Sequence, residues 1–179
     1  FPRSYNQSPA RSGSGGSAVV YCYIDTNSGA APTYTVTSSA VIGDSAWHSV
    51  VCTYDKTNLK IYVDGVLNRS TPGTADIYYD GSTGPRIGFH VEADTHFNGS
   101  IDDARIYSRA LSAAEILELS SSRLKYHDVT GAAPVGYWPL DDCADGTSGD
   151  GDTFVDRSGS GNNGTGVDGA NNTGLTCLA

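Results

Sequence analysis

Residues 47 to 67, WHSVVCTYDKTNLKIYVDGVL, alternate side chains with a period of two. In the first run His48, Val50, Cys52 and Tyr54 share one face while Trp47, Ser49, Val51 and Thr53 share the other, the pattern of a half-buried strand. The second run, LKIYV, places Leu59, Ile61 and Val63 on one face and Lys60 and Tyr62 on the other. Asp64-Gly65 follows directly, and Asp-Gly supplies the positive φ that a type I′ turn requires, so the chain doubles back into Val66-Leu67. Two strands joined this way predict sheet packed on sheet.

The rest of the chain is read against that hairpin. Residues 1–17 are Gly/Ser/Pro-rich and predict a lead-in without regular structure. Residues 18–25 predict a strand, as do 33–38, 86–91 and 99–107. One helix is predicted over 113–119, with Ser112 as N-cap, Glu115 closing a capping box, and Leu111 and Ile116 set for a hydrophobic staple. It would pack Ile116, Leu117 and Leu119 against the sandwich. Residues 123–134 read as a linker, after which Gly136 to Leu140 predicts a short strand, 141–170 a Gly/Asp/Asn-rich loop region interrupted by Thr153 to Asp156, and Gly174 to Leu178 the start of one more strand. Trp47 and Trp138 are expected in the core, as aromatics at sheet spacing usually are.

Composition narrows the partners. The formal charge of -9 over 179 residues disfavours nucleic acid and anionic membrane, because phosphate binding needs a basic face. No apolar run approaches a membrane span, and the opening Phe1-Pro2 in place of Met points to a processed or excised segment. Four cysteines allow three pairings and lack the CxxC pairs of a zinc site. Cys22 and Cys52 lie on strand faces suited to a bridge, which would leave Cys143 with Cys177; four buried thiols of a cytosolic protein are the alternative. Five Asn-x-Ser/Thr sequons, at Asn6, Asn68, Asn98, Asn163 and Asn171, are compatible with secretion, and a chain this rich in Asn and Ser also produces them by chance.

The run WHSVVCTYD, LKIYVDG, RIGF and FNGSIDDARIYSRALSAAEI closely resembles the C-terminal two thirds of a laminin G-like domain of the concanavalin A-like lectin/glucanase superfamily. The tail, GYWPLDD followed by VDRSGSGNNGTGVDG, resembles the opening strands of the same kind of domain. The resemblance implies an all-β, antiparallel two-sheet jelly roll, extracellular or at the cell surface, and a binding or adhesion module. The order is inverted: residues 18–122 match the end of a sandwich and 135–179 match the beginning of one. A sandwich without its opening strands would leave sheet edges bare. Either the sequence is a window cut from a tandem array of such domains, or residues 135–179, with Tyr137, Trp138 and Leu140 as the assembly segment, complete a neighbouring copy and build a filament; folding back onto their own chain, as in a circular permutant, would end the filament reading.

Candidate chemistry is sparse. A retaining glycosidase needs two carboxyls about 5 Å apart. Here Glu92 stands alone, Glu115 and Glu118 lie on the helix, and Asp102 and Asp103 on a strand would point to opposite faces, so no enzyme is expected. Asp103 with Arg105 reads as a structural ion pair. His90 and His96 near Asp94 lack a third ligand at useful spacing and read as a solvated loop. The Gly-rich stretch 141–156 holds six Asp, and its Asp145, Asp150, Asp152 and Asp156 are candidate ligands for calcium, a hard cation that such oxygen-rich loops can wrap. Tyr78 and Tyr79 are candidate glycan contacts, which would make the chain a carbohydrate- or calcium-dependent binding module.

Overall fold

The computed structural model describes residues 19–25, 33–39, 42–78, 86–90, 95–96, 100–121, 131–141 and 151–166. The fold is all-β and antiparallel, with one short helix among the described residues. The chain divides into two units, residues 1–99 with 109–123, and residues 100–108 with 124–179.

In the first unit, β1 (Tyr21–Asp25) pairs antiparallel with β2 (Thr33–Thr37), Tyr21 opposite Thr37. A three-stranded meander follows, β3 (Val50–Tyr54), β4 (Asn58–Val63) and β5 (Val66–Pro72), with β4 central. The alternation seen in the sequence determines what the two layers bury. Val20, Cys22, Ile24 and Val36 from the first hairpin meet Leu59 and Ile61 of β4, and Val50, Cys52 and Tyr54 pack against that cluster. A disulfide joins Cys22 of β1 to Cys52 of β3, as the strand faces suggest. Cys143 and Cys177 lie outside the described residues.

Both tight turns follow from their residues. The Asp55 carboxylate accepts hydrogen bonds from the backbone of Thr57 and Asn58 (2.9 and 2.7 Å) and from Lys60 Nζ (2.8 Å), closing the β3–β4 connection. Asp64 and Gly65 have φ of 51° and 79°, as a type I′ turn demands. Gly65 is required twice over, because a Cβ there would lie 2.2 Å from Ser120 Oγ and 3.0 Å from Leu117 Cδ1.

The helix α1 (Ala113–Ser121) runs two residues beyond the expected 119 and carries the expected box. Glu115 N–H donates to Ser112 Oγ (3.3 Å) and Ser112 N–H donates to Glu115 Oε2 (2.7 Å). Leu111 and Ile116 are buried, consistent with the staple, but Leu117 is exposed, because the helix turns only its Ile116 stripe inward. Strands β6 (Phe89–His90) and β7 (Thr95–His96) form a short pair where a strand over 86–91 was expected.

In the second unit, β8 (Ala104–Ile106) pairs antiparallel with β9 (Gly136–Trp138), and β10 (Thr153–Phe154) pairs with β11 (Gly164–Thr165). The strand expected over 99–107 begins only at Ala104, since Asp103 sits at φ 53° and interrupts the extended backbone. The segment that resembles a domain's opening thus pairs with residues 104–106 of its own chain.

Candidate functional site

The seat of β9 is built from three side chains and one carboxylate. Tyr137 stands opposite Arg105 in the ladder; its hydroxyl donates to Asp103 Oδ1 (2.7 Å), and Arg105 Cζ lies 4.5 Å over its ring. Arg105 Nη2 is 3.6 Å from the same Asp103 oxygen, the ion pair the sequence suggests. Asp102 and Asp103 are not on a strand, because the positive φ of Asp103 turns its carboxylate toward Tyr137. Burial, followed by the bond to Asp103, pushes the Tyr137 hydroxyl up to about 12, so it remains a donor throughout the accessible pH range. Trp138 is 7% exposed, as expected, and its Nε1–H donates to Asn162 O (2.9 Å). The indole folds back over Gly136, where a Cβ would meet ring carbons at 2.4 and 2.8 Å, so only glycine fits. Leu140 follows at φ 61° and is partly buried.

Asp156 fastens this strand to the loop behind it. Its Oδ1 accepts the N–H groups of Tyr137 and Ser158, both at 2.9 Å, and its Oδ2 accepts that of Asn162 at 2.9 Å. Its own N–H donates to Asn163 Oδ1 (3.0 Å). Both carboxylate oxygens therefore accept backbone N–H groups, and Asp156, one of the candidate calcium ligands, braces the loop. Asp152 differs: its Oδ2 is shut off from solvent without a hydrogen-bond partner. Asp145 and Asp150 lie outside the described residues. Among those described, no group of three or more His, Cys, Asp or Glu is placed to hold a metal.

The first unit presents a different feature. Trp47, expected in the core, is 64% exposed, since β3 begins only at Val50 and residues 47–49 precede the sheet. The loop that carries it is fixed by His48, whose Nδ1 is 2.9 Å from Asp64 Oδ2 and whose Nε2 is 3.0 Å from Asp44 Oδ1. Asp64 Oδ1 also accepts Ser49 N–H (3.0 Å), and Asp44 Oδ1 accepts Ala46 N–H (2.9 Å). Sequence reasoning passed over this cluster. The signal available was a histidine four residues after one aspartate with a second aspartate in the Asp-Gly turn, and only the hairpin register brings Asp64 beside it. Tyr78 is 38% exposed; Tyr79 and Asp94 lie outside the described residues, as do the side chains of His90 and His96.

The family model described as the concanavalin A-like lectin/glucanases superfamily matches residues 11–117. No curated protein matches. Among solved structures, a crystal structure of an S-layer domain-containing protein (residues 221-444) from Clostridium thermocellum is similar at 27% identity and a TM-score of 0.41. The match covers 58% of this chain and 52% of that one, about half its length.

Proposed function

We propose, from the premise that the chain belongs to the concanavalin A-like lectin/glucanases superfamily, that it is a non-catalytic extracellular module of a surface structure whose neighbouring copies join by exchanging β9. The observation that carries this is the fit of Gly136–Trp138 against Ala104–Ile106, sealed by Tyr137, Asp103 and Arg105. The two halves of that contact are separated by a long connection, residues 107–135. The same bonds therefore form whether β9 comes from its own chain or from the next one, and head-to-tail exchange builds an open filament. The Cys22–Cys52 disulfide supports an oxidising, extracellular setting. The test is light scattering and negative-stain imaging over a concentration series. Wild type is expected to form open chains, and Trp138→Ala to abolish them while the disulfide-linked sandwich stays folded. A compact monomer at every concentration, with residues 135–141 protected from proteolysis, overturns the assembly reading.

The exposed Trp47 ring favours a second reading, a module that binds glycans. A rigid indole is a large contact surface at low entropic cost, and Trp47→Ala would then remove glycan-array signal that wild type gives. Calcium is the cofactor this reading would use, and the sealed, unpartnered Asp152 Oδ2 is an atom that suits a hard cation. Millimolar calcium is then expected to raise the melting temperature of wild type but not of Asp152→Ala; an unchanged wild type removes calcium from the proposal.

A further inference from the structure

A neutral imidazole has one N–H and one lone pair, so it can donate to one carboxylate but not to two. His48 meets a carboxylate oxygen at each ring nitrogen, at 2.9 and 3.0 Å. Whichever tautomer formed, a neutral ring would aim a lone pair at Asp44 or Asp64. Only the imidazolium satisfies both contacts. The two carboxylates belong to different segments: Asp64 is in the β4–β5 turn, and Asp44 is in the loop before β3, beside Ser45 at φ 68°. One proton therefore ties that loop to the turn, and Trp47 lies between the two loop residues that make the tie.

We propose that Asp44, His48 and Asp64 form a pH-operated latch, which holds the Trp47 loop against the β4–β5 turn while His48 is protonated and releases it when the proton leaves. Its consequence for ligand capture rests on the reading of Trp47 as a contact residue; the latch itself does not. Asp44 and Asp64 are the charged groups that face the ring. From the other elements at this turn come Ser49, through its N–H, and Leu117 and Ser120 of α1, none of them titratable. The hydrogen bond to Asp64, then that to Asp44, raises the His48 pKa above its ordinary 6.5. A group raised on folding contributes its full stabilisation below the ordinary value and loses it as pH climbs through the raised one. The latch is accordingly closed below the ordinary value of 6.5 and opens as pH climbs through the raised one.

The test is an NMR titration of the whole chain that follows the His48 ring and the Trp47 indole N–H, with the Trp138 indole as internal control. His48 is expected to titrate above 6.5, with the Trp47 signal shifting at the same midpoint and Trp138 unmoved. Asp44→Asn and Asp64→Asn, both close in shape to the native side chains, each move the midpoint to lower pH, and His48→Gln makes the Trp47 signal independent of pH. A His48 midpoint at or below 6.5, or a Trp47 signal that stays flat while His48 titrates, overturns the latch. A blank glycan array with His48 and Trp47 titrating together ends the ligand reading and supports the latch, whereas sugar binding through Trp47 with a flat titration overturns the latch alone.

Discussion

Asp156 is 6% exposed and negatively charged, a combination that burial alone would penalise by raising its pKa. Hydrogen bonds from Ser158 and from the N–H groups of Tyr137 and Asn162 outweigh that and hold the carboxyl down at about 2. Because its folded value is depressed, the stabilisation is present above the ordinary carboxylate range near 3.8 and is lost as pH falls toward 2. Asp156→Asn is therefore expected to cost about 2 kcal/mol at neutral pH, one charge-assisted hydrogen bond's worth, and to flatten the acid side of the stability profile measured by chemical denaturation. Composition marked Asp156 as one acid among six in a Gly-rich stretch. It could not show that the backbone N–H groups of residues 137, 158 and 162 converge on it, because that depends on a fold-back over about twenty positions. The two tryptophans make the same point. Strand alternation assigns each to a face, but only the neighbours that cover a face decide its burial, and Trp138 has the Gly136 backbone and Asn162 where Trp47 has solvent.

At the scale of elements, local chemistry was the most legible. The Asp-Gly turn, the β3–β4–β5 meander and the capped helix each depend on residues within a few positions of one another. Ser112→Ala should remove the Glu115 N–H acceptor and cost about 1 kcal/mol in a thermal melt. The pairing of β8 with β9 was less legible, because alternation identifies strands and not their partners. The shortening of β8 was hidden as well, since nothing in DDARIY announces the positive φ at Asp103.

For the whole molecule, the Cys22–Cys52 bond spans 30 residues and links the two layers of the sandwich. On the chain-entropy account, closing a loop of that length restricts the unfolded chain by about 3.5 kcal/mol. The double variant Cys22→Ala/Cys52→Ala should accordingly melt well below wild type in calorimetry. Sheet-on-sheet architecture was readable because the apolar face of β4 and that of β1 both lack polar interruptions, so each must be covered.

The Asp64–Gly65 turn is where the hairpin reverses, where Asp64 binds His48 and Ser49, and where Leu117 and Ser120 of the helix close over the glycine. Tips of two-residue hairpins are the usual place to splice in an epitope tag or a foreign peptide, because they tend to be exposed and to touch nothing. In this protein the tip is hemmed in on two sides, and a graft there would unseat a loop and a helix along with the turn.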